Sequence, residues 1–180
     1  MTDDEQAEIR RSLQGDHEAF ESLVRRYQRM IYALTYRMSG SAADAEDLTQ
    51  DVFIRAHQEL AAFRAEAKFS SWLYRIAVNQ CLNWRKRVAR REQVHNDWQA
   101  ENATPAAPPG AVAQLVAEAL QQLPPKQRAA VVLTTYDGLN HAEAARVLGC
   151  SETTVSWRVF AARAKLKRLL KNMKSGGAHD

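Results

Sequence analysis

The stretch Ser70-Ser71-Trp72-Leu73-Tyr74-Arg75-Ile76-Ala77-Val78-Asn79-Gln80-Cys81-Leu82-Asn83-Trp84-Arg85-Lys86-Arg87-Val88-Ala89-Arg90-Arg91 decides the fold. Turned at about 100° per residue, Leu73, Ala77, Cys81, Trp84 and Val88 fall on one side as a buried stripe. The opposite side gathers Trp72, Arg75, Asn79, Asn83, Lys86 and Arg90 within roughly a quarter of the circumference. The spacing predicts a helix over about 70–91 with one face for a core and one carrying an indole, two amides and three cations. Amides hydrogen-bond base edges, an indole stacks on or replaces an unstacked base, and cations hold phosphates. That face therefore has the chemistry for single-stranded or partly opened DNA. A solvated polar face with a half-buried Trp is the plainer reading of a charged helix run, and the count of amides weighs against it.

The same period recurs upstream. Phe20, Leu23, Val24, Tyr27, Ile31 and Leu34 predict an amphipathic helix that Gly40-Ser41 breaks. Ser41 with Asp44 makes a capping pair for a second helix to about Ala61, buried along Leu48, Val52, Ala56 and Leu60. One side of that helix carries Asp44, Asp47, Asp51 and Arg55. First-turn acids stabilise the helix dipole, which accounts for Asp44 and Asp47 but less well for Asp51. An acidic stripe also suits a basic partner. The polar run Arg64-Ala65-Glu66-Ala67-Lys68 reads as a loop before the decisive helix.

Periodicity stops between Asn96 and Ala111, where Ala103-Thr104-Pro105-Ala106-Ala107-Pro108-Pro109-Gly110 has the composition of an extended tether. Beyond it the pattern gives helices at 113–123 and 126–136, with Pro125 opening the second, then 141–148, a turn at Gly149-Cys150, and a basic helix over about 152–173. The last two with their tight turn read as a helix-turn-helix. Val155, Val159, Ala162, Leu166 and Leu169 point inward there. Thr153, Thr154, Trp157 and Arg158 then point outward near the leading end that enters a major groove, with Ser151 as cap and Arg163 and Lys165 within reach of phosphates. The expected fold class is all-α: two small helical domains, 1–95 and 113–174, joined by a flexible Ala/Pro-rich linker at 96–112 and followed by a disordered tail at 175–180.

Composition narrows the function. The chain has 180 residues, 46% hydrophobic and 26% charged, with a net charge of +4. Eight basic residues against one acid lie between Arg146 and Lys174, and six more with no acid between Arg75 and Arg91. Two separated basic patches suggest a polyanion touched at two places. No apolar run approaches the roughly 20 residues that span a bilayer, and the acidic start Met1-Thr2-Asp3-Asp4-Glu5 is unlike a secretory signal, so a cytoplasmic protein is expected. Cys81 and Cys150 lack metal-ligand spacing, and the five histidines are dispersed. No phosphate loop or nucleophile elbow occurs. No metal, cofactor or catalytic residue is therefore expected, and an enzyme is the last choice.

The chain resembles the extracytoplasmic-function sigma factors of the sigma-70 family. Gly15-Asp16-His17-Glu18-Ala19-Phe20, Ala45-Glu46-Asp47-Leu48-Thr49-Gln50-Asp51-Val52-Phe53 and Phe69 to Asn79 look like conserved region two. Leu120-Gln121-Gln122-Leu123-Pro124-Pro125-Lys126-Gln127-Arg128 and the run from Thr154-Val155 to Leu166 are similar to region four. The resemblance implies a transcription initiation subunit that binds core RNA polymerase through its clamp helices and flap, opens the minus-ten element and reads the minus-thirty-five element of promoter DNA. It implies Asp47, Gln50, Asp51 and Arg55 as polymerase-binding residues. It places Trp72, Arg75, Asn79, Asn83 and Lys86 on a minus-ten face, with Arg64 and Lys68 in a base-capturing loop. Ser151, Thr153, Thr154, Trp157, Arg158 and Arg163 fall to the minus-thirty-five element. It also implies an anti-sigma factor. Trp157 stands where such proteins usually have a small residue, and Ala161 where they often have Arg. Two other classes compete: a helix-turn-helix regulator with a sensing N-terminal half, and an adaptor whose basic patches are merely solvated. A sensor domain has no use for the amide-rich aromatic face.

Overall fold

The computed structural model describes residues 3–94 and 111–176. Most of the expected linker lies outside them, and its last two positions already belong to a helix. Among the described residues there is no strand. Eight α-helices follow in order: α1 Asp3–Leu13, α2 His17–Ser39, α3 Ala42–Glu59, α4 Phe69–Val94, α5 Ala111–Gln121, α6 Pro125–Val131, α7 His141–Leu148 and α8 Glu152–Gly176. A 3-10 turn, Leu60–Ala62, ends α3, and a π turn, Val132–Tyr136, continues α6.

Local chemistry sets the boundaries. Asp16 caps α2 by accepting from the Ala19 N–H at 3.1 Å, and that bond with the Arg11 guanidinium holds its carboxyl below the usual range. Gly40, at φ 81°, closes α2 in the left-handed conformation, and Ser41 accepts from the Asp44 N–H to start α3. Pro125 opens α6, where its missing N–H costs nothing. Asn140 and Glu143 form a reciprocal capping box on α7. Asn140 is the cap. His141 lies 2.8 Å from the Ser156 hydroxyl through its Nδ1. Ser151 caps α8 as expected.

Two departures from the sequence reading have clear causes. Helix α1 was not legible, because its buried side presents Glu5, Glu8 and Ser12 beside a single core residue, Ile9. Those acids find partners in α2: the Tyr27 hydroxyl donates to Glu5, Ser22 donates to Glu8 at 2.6 Å, and Arg26 pairs with Glu8 at 2.9 Å. Burial and Glu5 push the Tyr27 phenol up. At the other end α8 includes Ser175 and Gly176, so the expected tail begins too early; the remaining four residues lie outside the described set.

Leu23, Ile31 and Leu34 of α2 meet Leu48 and Val52 of α3 and Phe69, Leu73 and Ala77 of α4. This core continues without a break into Ala129, Val132, Leu133, Ala144 and Val155 of the second half. A smaller cluster of Leu120, Leu123, Val131 and Ala162 seats α5 against α8. The two halves are thus packed together, and the polar sides of α3, α4 and α8 face outward.

Candidate nucleic-acid interface

Helix α4 presents the predicted face. Arg75, Asn79, Asn83, Lys86 and Arg90 are all exposed, while Leu73, Ala77 and Cys81 are buried. Burial raises the Cys81 thiol to about 12, so it stays protonated. Trp72 lies on the outward stripe but is half-buried, as the plainer reading of that face had it, 5.4 Å from Phe63 and 5.3 Å from Phe69 between centroids. The indole packs against both rings and stays partly exposed. A cleft of about 590 Å³ between α3 and α4 is lined by Arg55, Glu59, Trp72, Arg75, Asn79 and Asn83. A second, of about 410 Å³, lies between the exposed Arg64–Lys68 loop and Trp72, and Arg146 and Val147 of α7 form its far wall. Lys68 Nζ lies 3.9 Å from Glu143 of α7. The indole thus borders both clefts, one rich in amides and cations and one bounded by a loop. A base leaving its stack needs both a stacking partner and polar edge contacts.

On α3, Asp47, Gln50, Asp51 and Arg55 are exposed on one side. Arg55 pairs with Glu59 at 2.5 Å, which leaves the two aspartates as the acidic part of the stripe. Ile54, 57% exposed, lies among them and was not singled out by sequence. An exposed isoleucine ringed by charge is a common composition for a protein-binding surface.

In the helix-turn-helix, Gly149 at φ 60° makes the turn, and Val155, Val159 and Ala162 are buried. Ser151, Thr153, Trp157 and Arg163 are exposed, Trp157 at 62%. Thr154 and Arg158 are only partly so. The Thr154 and Ser151 hydroxyls are 2.8 Å apart, and Arg158 Nη1 reaches the Cys150 sulfur at 3.4 Å. Both correct the expectation of free outward side chains. Phe160, 74% exposed, adds a second aromatic that the inward stripe did not suggest.

The residue that sequence reasoning missed most clearly is Arg128. It is 1% exposed. Its guanidinium donates to the carbonyls of Met38 (2.5 Å), Gln121 (2.5 Å) and Leu123 (3.3 Å), and to the Gln121 side-chain oxygen. Burial lowers it to about 10, still cationic at neutral pH. Beside it Gln121 donates to the Arg37 carbonyl at 3.1 Å. The signal was a lone cation heading the apolar run Ala129 to Leu133. The two Nη groups carry all of these bonds, and the buried Nε has no hydrogen-bond partner.

Comparison with known proteins agrees with this layout. Residues 23–91 match the family model for sigma-70 region 2, and residues 113–166 that for sigma-70, region 4. The chain is 41% identical over 165 residues to an ECF RNA polymerase sigma factor, SigM, of Mycobacterium tuberculosis, covering 90% of this chain and 82% of that one. It is 34% identical over 174 residues to the ECF RNA polymerase sigma-E factor of Escherichia coli K12, covering 88% and 90%. Among solved structures, the sigma factor RpoE in complex with the anti-sigma factor NepR from Bartonella quintana overlays with a TM-score of 0.73 at 28% identity, covering 84% of this chain and 96% of that one. CnrH in complex with the cytosolic domain of CnrY gives 0.70 at 29%, covering 94% and 99%.

Proposed function

This chain belongs to the extracytoplasmic-function sigma factors of the sigma-70 family, and from that premise we propose how its surfaces divide the work of promoter recognition and opening. The exposed side of α4 takes the opened minus-ten strand: Asn79 and Asn83 read base edges, Arg75 and Lys86 hold phosphates, and Trp72 with the Arg64–Lys68 loop holds an extruded base. The leading end of α8 reads the minus-thirty-five duplex through Thr153 and Trp157, and Arg163 anchors the backbone. The aspartates of α3 grip the clamp helices of core polymerase. The protein works in the cytoplasm, catalyses no reaction itself, and is restrained by an anti-sigma factor. Residues 1–95 and 113–174 act as its two functional units.

The observation that carries this reading is the coexistence of two separate basic surfaces with a third, acidic one on α3. Extruding a base costs a few kcal/mol, and polymerase supplies the additional binding surface that offsets it. Specific promoter binding therefore belongs to the holoenzyme, and the free chain binds weakly. Gel filtration with core polymerase tests the assignment of α3: reversing charge with Asp47→Lys and Asp51→Lys is expected to abolish co-elution while leaving helicity unchanged. Full co-elution of the double variant would remove α3 from the polymerase surface.

A further inference from the structure

At the leading end of α8 most hydrogen-bonding side chains already have partners within the chain. The Ser151 and Thr154 hydroxyls are 2.8 Å apart, the Ser156 hydroxyl lies 2.8 Å from His141 Nδ1, and Arg158 Nη1 reaches the Cys150 sulfur at 3.4 Å. Arg158 is the cation that would grip guanine from this end, and it is drawn back to the turn. Glu152 and Thr153 are the exposed polar residues there without such a partner.

Two rings stand beside them. Trp157 and Phe160 are the two most exposed large apolar side chains among the described residues. Three residues apart, they are neighbours on one side of the helix, separated by about 4.5 Å along its axis. Arg163 and Lys167 are exposed further along that side, and with Phe160 they border a recess of about 350 Å³ against His141 and Val159. Aromatic surface left in water is unfavourable until something covers it, and the cations beside these rings match a polyanion. In the major groove every base pair offers hydrogen-bonding groups, and thymine alone adds an apolar one, its C5 methyl. The axial distance between the rings is close to the step between neighbouring base pairs, about 3.4 Å.

We propose that Trp157 and Phe160 read the minus-thirty-five element by packing on the C5 methyl groups of thymines in neighbouring base pairs, while Arg163 and Lys167 hold the flanking phosphates. This rests on the sigma-factor reading above and adds the base that α8 selects and the chemical group by which it selects. Phe160 becomes a specificity residue alongside Trp157.

Deoxyuridine tests it, since it keeps every hydrogen-bonding edge of thymidine and lacks only the methyl. Holoenzyme assembled from core polymerase and the full chain first selects an upstream element from a randomised library. The selected template is then made with thymidine or with deoxyuridine throughout that element, and with deoxyuridine in the spacer as control. The selected element is expected to carry thymines in neighbouring pairs. Wild-type holoenzyme should bind the uracil template more weakly by about fourfold for each methyl lost from under a ring, and spacer uracil should have no effect. Trp157→Ala and Phe160→Ala should each lose part of this discrimination, and the double variant should bind both templates equally at unchanged helicity.

Equal binding of wild-type holoenzyme to the two templates would overturn the proposal without recourse to any variant. So would an element free of thymine, or a double variant that still discriminates as wild type does; if that variant has also lost binding to core polymerase, the rings lie on a protein surface instead. Specific binding blind to the methyl thus sinks this inference alone. Absence of any chain-dependent upstream element would strike the sigma-factor reading itself, and this inference with it.

Discussion

Asp137 faces Arg37 across the junction of the two halves at 3.7 Å, with its own side chain only 6% exposed and its second carboxylate oxygen buried without a hydrogen-bond partner. Burial outweighs the nearby guanidinium and lifts the carboxyl to about 6. Burial, and after it the charge of Asp137, raises the neighbouring Tyr74 phenol. Because the native value lies above the ordinary carboxylate value of about 3.9, the folded state binds the proton more tightly. Its contribution is fully present below pH of about 4 and is lost as pH rises through about 6. The loss amounts to at most about 3 kcal/mol. Asp137→Asn is expected to flatten that part of the profile, so that the stability difference between variant and wild type grows in the variant's favour from pH 4 to pH 7. Parallel chemical-denaturation profiles over that range would contradict it.

Arg128 is the polar residue on which packing depends most. Replacing it with Ala leaves buried carbonyls of Met38, Gln121 and Leu123 without their donor. A loss of about 3 kcal/mol is expected, against less than about 0.5 kcal/mol for Arg25→Ala, whose pair with Glu21 is solvent-exposed. Arg128→Lys should recover little, since one ammonium cannot reproduce the forked geometry. Equal unfolding midpoints for Arg128→Ala and Arg25→Ala would refute the assignment.

Asn79 and Trp72 separate function from stability. Asn79 is exposed, so Asn79→Ala should shift stability by no more than about 0.5 kcal/mol while reducing promoter opening by holoenzyme about tenfold. Trp72 packs on Phe63 and Phe69, so Trp72→Ala should impair opening and also cost about 2 kcal/mol of stability. Permanganate reactivity of unpaired thymines, set beside thermal melts, measures both. Normal opening by folded Asn79→Ala would remove it from the reading face.

On α8, Arg163 and Trp157 are expected to fail differently. Arg163→Ala should weaken holoenzyme binding evenly across promoter sequences and reduce the log–log salt slope by about 0.9. Trp157→Ala should change the preferred upstream sequence and leave the slope alone. Selection from a randomised upstream element at several salt concentrations distinguishes them; identical behaviour of the two variants would contradict the division between phosphate and base contact.

Much of this was legible in sequence because helical period reports burial directly. The opposed stripes of α4 appeared at the predicted angles, and Gly40, Ser41, Pro125 and Gly149 marked the ends they occupy. Period failed where burial is polar. Helix α1 buries Glu5 and Glu8 against Tyr27, Ser22 and Arg26, partners more than a dozen residues away that no local pattern reveals. Arg128 was hidden for the same reason, since its acceptor Met38 is 90 residues distant. Arg158 and Thr154 fell on the outward arc but turned to Cys150 and Ser151, contacts set by rotamer and not by angle. A charged face predicts solvent or ligand equally well, so the functional sides of α3 and α8 needed the family resemblance to acquire partners.

The most direct test of the account is run-off transcription by core polymerase on a library randomised across both promoter elements, with and without this chain. Transcripts should arise only when the chain is added, from templates enriched in two sequence blocks about 25 base pairs apart, and the downstream block's enrichment should relax with Asn79→Ala and Asn83→Ala. Transcription no greater than that of core enzyme alone, or enrichment of a single block indifferent to both asparagines, would contradict it.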